Sequence, residues 1–374
     1  MNVLLVDGKS QALVKFTDLF LKHQCKTVHF DDPLQALKSI NKYKFDVIIC
    51  AQDVQKTNLK SVFKAVSIKF PTLIRIALVK DKSNSNVEQL THYLFDKSDD
   101  SSQVIDTVLA LENSNKRITK EVIVKAVASV KTLPSPPKVY LQLNAILKNN
   151  NTDSEKIAEI ISQDPSLVAK VLQFSNKSFM PNGKKVTNIT EAITKMGVET
   201  LSCIVMTAEM FSYQPDIPNF SVEEEQLHSL SVARFAASLV EIDFRHDALL
   251  AGLLHDIGKL VLFEIDKALT LKYFDNCART SSDILLEQKI FTTDHCQIGA
   301  YLLHVWSFPY DIIEAILNHH SPQKLLSKNF GVAQSVYLAN CLLKDREPDL
   351  KFIEHYQLAN SLESLQKKTE RFKS

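Results

Sequence analysis

The chain has 374 residues, 45% of them hydrophobic and 23% charged, with a formal net charge of +1 at pH 7. That length exceeds one ordinary hydrophobic core and suits two domains and a tail. The near-neutral charge argues against a broad nucleic-acid footprint, and no apolar stretch approaches the roughly 18 residues that a membrane span needs.

The N-terminal segment MNVLLVDGKS has no basic leader and meets an acid at once, so it reads as a strand rather than a signal peptide. Six dispersed cysteines (Cys25, Cys50, Cys203, Cys277, Cys296, Cys341) form no CxxC pair and are expected to be reduced thiols of a cytoplasmic protein. The first stretch alternates: strand at Val3–Val6, helix at Gln11–His23, strand at Thr27–Phe30, helix at Pro33–Tyr43. Then come a strand at Asp46–Cys50, a helix at Leu59–Phe70, a strand at Leu73–Val79, and helices near Asn86–Leu94 and Gln103–Leu111. Such alternation predicts an α/β doubly wound domain with a parallel sheet covered on both faces, its functional edge at the carboxyl ends of the strands.

The pattern changes near Glu112. ENSNKR reads as a helix end or linker, LPSPP (Leu133–Pro137) as a stiff entry, and the chain is then helical to about Lys344. Asp164-Pro165 and Asn188-Ile189-Thr190-Glu191 are helix starts, each with a capping side chain. The polar segment from Arg346 reads as a loose helix or disorder. The expected domains are 1–115, a linker helix at 116–130, an all-α domain at 131–345 and a tail at 346–374.

The strand ends can be read as a site. Phosphoryl transfer to an aspartate needs acids for a divalent metal, an acceptor aspartate, a hydroxyl and a lysine. The segments VLLVDG, DVIICAQD, RIALVKD and YLFDKSDD resemble, in that order, the flavodoxin-like receiver domain of response regulators. The family's paired acids are here Asp7 and Gly8, its acceptor position is Ala51, and its hydroxyl position is Val79. Only the lysine is kept, as Lys97. Asp53, two residues past Ala51, is expected to point away from Lys97, and Asp53 and Asp7 read as solvated loop acids. The resemblance then implies a scaffold that accepts no phosphate.

In the second domain, histidines recur on predicted helices: His228 in LHSLSVARFA, His255 and Asp256 in LLHDIGK, His295 in DHCQIGA, His319 and His320 in ILNHH. Five imidazoles and a carboxylate, if they converge, make a first shell for zinc, iron or manganese. LPSPPKVYLQLNAIL, IISQDPSLVAKVLQFSN, ITEAITKMGVETL, AGLLHDIGKLVL, the segment from HCQIGA to NHHSP, and VYLAN resemble the HDOD family, a helical relative of the HD phosphohydrolases. In metal-dependent HD enzymes the six residues just named match ligands, with Asp256 bridging two ions. Here the closing acid of that pattern is Asn340, and no GYP-type segment follows HHSP. The resemblance therefore implies at most one divalent transition metal, in a set of Asp256, His295, His319 and His320. The same groups can instead form a buried hydrogen-bonded network, with His246 and His304 as surface or packing residues. Lys259 reads as an exposed charge, Trp306 and Pro309 as a helix-to-helix corner, and Asn176 as a cap after its helix.

The function expected is a non-enzymatic signalling adaptor of two-component type, with no catalytic residues. Its expected partners are signalling proteins, a second copy of the chain among them, with neither membrane insertion nor nucleic acid. A metal-dependent phosphohydrolase or nucleotide sensor is the alternative.

Overall fold

The computed structural model describes the chain except residues 9–12, 55–56, 81–86, 88–89, 131–138, 140–141, 144–153, 177–184, 211–216, 218, 278–282, 328 and 374. Cα packing divides it into two compact units: Met1–Ile123 with Ala300–Ile313, and Val124–Gly299 with Glu314–Ser374. LPSPP lies outside the described residues.

In the first unit, β1 (Asn2–Val6), β2 (Lys26–Phe30), β3 (Val47–Ala51), β4 (Ile74–Val79) and β5 (Tyr93–Asp96) form one parallel sheet in the order β2-β1-β3-β4-β5. This is the flavodoxin-like order. The runs VIICA and IRIALV are buried on every residue, as central strands covered on both faces must be. Side chains alternate: Val3, Leu5, Val47 and Ile49 meet α1 (Val14–Lys22) and α4 (Ser101–Ile118) through Phe16, Phe20, Val104 and Val108. Leu4, Val6, Ile48 and Cys50 meet α2 (Pro33–Ile40) and α3 (Leu59–Lys69) through Ala36, Val62 and Phe63. The register pairs Val6 with Cys50, Ala51 with Leu78 and Val79 with Asp96, so the strand ends share one edge.

One expectation for this region needs correction. Tyr93 and Leu94, read as the end of a helix, lie in β5; residues 86, 88 and 89 are outside the described residues. ENSNKR forms the last turns of α4, which ends at Ile118, with Glu112 and Ser114 buried and Ser114 Oγ 2.8 Å from Tyr310 Oη. After a break at Thr119–Lys120 the chain continues as α5 (Glu121–Ser129). Within the same unit Arg75 is wholly buried, with no ion pair to a carboxylate among the described residues; it donates to the carbonyls of Pro71, Leu73 and Leu90 and to Ser307 Oγ. The His92 and His304 rings stack beside it, 4.3 Å apart.

The described residues of the second unit form no strand. The helices in chain order are α6 (Ser154–Ser162), α7 (Pro165–Phe174), α8 (Ile189–Met196), α9 (Val198–Met210), α10 (Val222–Ala237), α11 (Arg245–Leu254) and α12 (Lys259–Leu262). There follow α13 (Lys267–Cys277), α14 (Asp283–Phe291), α15 (His295–Val305), α16 (Tyr310–Asn318), α17 (Val332–Leu343), α18 (Leu350–His355) and α19 (Leu362–Thr369). The predicted caps are in place: Asp164 Oδ1 accepts from the Ser166 and Leu167 amides, and Asn188 Oδ1 from the Glu191 amide. Asn176 reaches further than a local cap, exchanging two hydrogen bonds with the Val186 backbone.

α10 packs against α11 and α17. The approach is close because the crossing is made of small residues: a Cβ on Gly252 would stand 2.4 Å from Ala233 Cα. The polar tail is also packed, contrary to expectation. Phe352 is fully buried, and the Phe372 ring lies 5.2 Å from Phe235 with Arg234 over it. A few well-spaced aromatics anchor a segment whose average composition is polar.

Candidate metal centre

The chain turns after α11 at His255–Gly258, where His255 and Asp256 are wholly buried. Gly258 makes that turn part of a site. A Cβ there would stand 2.0 Å from the His295 carbonyl oxygen and 2.7 Å from the Gly299 amide nitrogen. Only glycine lets the first turn of α15 lie on the His-Asp turn, and this contact brings His295 to Asp256.

Three rings are oriented by what their Nδ1 atoms meet. That of His255 lies 2.8 Å from the Gly252 carbonyl, that of His319 2.7 Å from the Ile316 carbonyl, and that of His295 2.8 Å from Glu287 Oε2. Each acceptor requires Nδ1–H as donor and leaves the Nε2 lone pair facing inward. His295 Nε2 and His319 Nε2 are 3.2 Å apart, and they lie 2.9 and 3.4 Å from Asp256 Oδ1. Ligands at about 2.0–2.1 Å around a tetrahedral ion are separated by about 3.3 Å, so these spacings are those of a metal shell. A His320 nitrogen lies within 4.8 Å of the donor atoms of the other three. Asp256 Oδ1 and His255 Nε2 are buried and make no hydrogen bond, although neighbours stand within ion-pair distance. His255 Nε2 faces Asp256 Oδ2 at 3.1 Å and His295 Nε2 faces Oδ1 at 2.9 Å, so ring nitrogens converge on one carboxylate as the shell of a cation requires.

The second group differs. His228, His255 and Asp256 again place donors within 4.8 Å of one another. His228 Nε2, however, lies 3.0 Å from Asn340 Oδ1, an acceptor that requires the nitrogen to donate. The other oxygen of Asp256, Oδ2, is taken by Lys259 Nζ at 2.5 Å, with Lys344 Nζ at 3.7 Å. Lys259 also donates to Glu225 Oε1 at 3.0 Å. Lys259 is therefore not the exposed charge expected from sequence: its stem packs along the site and only 14% of its side chain meets solvent.

Electrostatics follow from these contacts. Burial works to raise the Asp256 pKa, but His255, Lys259 and Lys344 outweigh it and hold the carboxylate well below the usual range. Burial opposes the His295 imidazolium, yet Cys296, Glu287 and Asp256 outweigh it and raise that pKa well above ordinary histidine. Both shifts favour a positive charge beside Asp256 and Glu287, which a proton or a metal cation can supply. Burial lifts Glu225 to about 7. The sequence reading missed Glu225, Glu287, Lys344 and Cys296, whose thiol lies 3.6 Å from His295 Nε2. Glu225 alone had a signal: it sits three residues before His228, on the same helix face. A cavity of about 390 Å³ adjoins His228, lined by Glu224, Leu227, Ser231, Leu343, Asp345 and Lys373.

The strand-end site of the first unit is sparser. Ala51 and Val79 end β3 and β4 and are wholly buried. Two expectations fail here. Asp7 is not solvated: it is wholly buried, 2.5 Å from His29 Nε2 and 2.8 Å from the Leu13 amide. Asp53 does not point away from Lys97, whose Nζ donates to both of its carboxylate oxygens. The lysine stem spans the two-residue offset.

A helical domain with a buried His/Asp centre, carried beside a small parallel α/β sheet, is the class that fold and site define. Residues 133–322, half of the chain, match the HDOD domain, and the chain belongs to that family. A solved HDOD domain protein of unknown function from Geobacter sulfurreducens is similar at 21% identity and a TM-score of 0.54, covering 69% of this chain and 98% of that one. A putative phosphohydrolase from Shewanella amazonensis is similar at 22% and 0.53, covering 68% and 95%. These likenesses show the fold. Among curated proteins, an uncharacterized protein of Treponema pallidum is 22% identical over 219 residues, 57% of this chain and 42% of that relative. The chain spans less than half the length of the curated relatives it matches. Among the described residues, no helix is long and apolar enough to cross a membrane.

Proposed function

We propose that this chain is a non-enzymatic signal-transduction adaptor of two-component type, a receiver-like domain that takes no phosphoryl group joined to an HDOD output domain that binds protein partners. One observation carries the reading: each unit keeps the frame of a reaction centre while an acid that the chemistry needs is replaced. Ala51 stands at the strand end where an acceptor aspartate is required, and Asn340 holds His228 where the HD pattern closes with a carboxylate. Asp256, His295, His319 and His320 are the residues that would hold one divalent transition metal. A metal there supplies Lewis acidity and an activated water. A single ion lacks the paired clamp on attacking and leaving oxygens that two-metal phosphodiester hydrolysis uses.

The test is turnover and capture with the full chain purified without chelator. Cyclic di-GMP should remain intact, and immobilised chain should retain defined signalling proteins of the host or a second copy of itself. Hydrolysis by the unaltered protein, abolished in His255→Ala, overturns the adaptor reading. The second reading, a phosphohydrolase or a nucleotide sensor, is favoured by the orphaned atoms of His255 and Asp256 and by the cavity beside His228. Nucleotide binding without cleavage, lost in His228→Ala, would support the sensor form.

A further inference from the structure

The two oxygens of Asp256 meet different things. Oδ1 faces His295 Nε2 at 2.9 Å and His319 Nε2 at 3.4 Å, two ring nitrogens that a metal cation can take in place of a proton. Oδ2 faces an ammonium: Lys259 Nζ at 2.5 Å, fixed from its other side by Glu225 Oε1 at 3.0 Å, with Lys344 behind it at 3.7 Å. A carboxylate that bridges two ions spends one oxygen on each. Here the second oxygen is already neutralised by a tethered charge that cannot diffuse away. His255 Nε2 also faces Oδ2, at 3.1 Å, and His228, the remaining donor on that side, has its Nε2 engaged by Asn340.

We propose that Lys259 is the second cation of this centre, so that the site takes one divalent transition metal and one lysine ammonium in place of two metals. The inference rests on the metal reading above and goes beyond it. Asn340 alone weakens the second position; Lys259 fills it. A metal entering there would meet an ammonium about 2.5 Å from the same oxygen, and like charges that close inside a buried site repel strongly. Glu225 is the positioning residue, because its carboxylate aims the ammonium at Asp256 rather than at solvent.

The experiment counts ions and looks at their coupling. Full-length chain is stripped, loaded with Mn(II), desalted and analysed for metal per chain, and its electron paramagnetic resonance spectrum is recorded. The wild type should hold one Mn(II), with the spectrum of an isolated ion. Lys259→Met combined with Asn340→Asp removes the ammonium and restores the acid, and should hold two, with exchange-coupled signals. Lys259→Arg, which keeps the charge, should stay at one. Circular dichroism accompanies each variant. If the double variant does not fold, Glu225→Gln, which frees the ammonium without removing it, should admit a second Mn(II) at raised metal concentration. Two ions in the wild type overturn the inference and leave the metal reading standing. One ion in the double variant or, should that variant not fold, one ion in Glu225→Gln at raised metal concentration overturns it likewise. No ion in any form overturns both.

Discussion

The strand edge of the α/β unit has Ala51, and the histidine centre of the helical unit Asn340, where the receiver and HD patterns place an acid, and the groups around the two are arranged differently. At the strand edge each remaining group has found a local partner: Asp7 binds His29 and the Leu13 amide, and Asp53 takes Lys97. In the helical unit the remaining groups still converge. Three Nε2 atoms stay turned toward Asp256 because carbonyls and Glu287 hold the opposite side of each ring. A site outlasts the loss of one member when its other members are oriented from outside by the scaffold. At the strand edge the acids are held by near neighbours, Asp7 by His29 and the Leu13 amide and Asp53 by Lys97.

The contact that makes the helical centre is the sharpest place to break this contrast. Gly258→Ala puts a methyl group into the His295 carbonyl and the Gly299 amide, both backbone atoms with nowhere to go. The expected cost exceeds about 4 kcal/mol, with loss of any bound metal. A variant that unfolds within about 1 kcal/mol of wild type in denaturant would show that the two turns are not in contact.

Next in size is the helix that carries the His-Asp turn. Leu254 is 1% exposed, and Leu253 and Leu260 are as deeply buried. Leu254→Ala should cost about 2–5 kcal/mol in urea or guanidinium unfolding without changing metal stoichiometry, since the donors are set by the turn and not by this side chain. A loss below about half a kcal/mol would place the helix elsewhere.

A smaller effect, read per pH unit, separates the units by titration. Burial pushes His304 down to about 3, with Arg75 adding to the shift, and burial, His304 and Arg75 together hold His92 well below ordinary histidine. The ring nitrogens of this pair meet the Arg75 amide and guanidinium and the Thr72 and His304 carbonyls, with no carboxylate among those contacts. The unfolded chain takes up protons near pH 6.5 and the folded unit does not. The stability these rings contribute is therefore complete above pH 6.5 and is lost as pH falls from 6.5 toward 3. The slope is about 1.4 kcal/mol per pH unit for each histidine that stays neutral. Replacing His304 with Gln should flatten the acid limb of thermal unfolding; an unchanged slope would mean the pair is solvated.

Much of this was legible in the residues. The buried strands of the sheet announce themselves as apolar runs, and the helix starts at Asp164 and Asn188 as cap residues. β5 escaped because YLFD is short and half-buried, so neither period nor a continuous apolar run marks it. The histidines were legible through order and spacing, but their partners were not. Lys259, Glu287 and Lys344 are single charged residues, and Glu225 ends a run of three acids at a helix start, patterns that ordinarily mean a solvated face. Only the crossing of α10, α11 and α17 turns three of them inward. The tail was misread for a similar reason, since Phe352 and Phe372 stand alone among charges and their burial is decided by a surface elsewhere in the chain.

The smallest expected effect is none at all, at the strand edge. Aspartyl phosphorylation needs a carboxylate free to attack and a divalent ion to neutralise the incoming phosphoryl group. Ala51 offers no oxygen, and the Asp7 carboxylate is spent on His29 and a backbone amide. Asp53 is the acid nearest in sequence to Ala51, and Lys97 already lies across both of its oxygens. Among the described residues, no group of three metal-ligating side chains lies at this edge; both such groups belong to the helical unit. Acetyl phosphate with magnesium should therefore leave the intact mass unchanged, and a beryllium fluoride mimic should not alter oligomer size. A stoichiometric, acid-labile phosphate that disappears in Asp53→Asn would show that Lys97 delivers a phosphoryl group to Asp53 rather than closing it off. The contrast between a site that has collapsed and one that has persisted would then have to be redrawn with both units active.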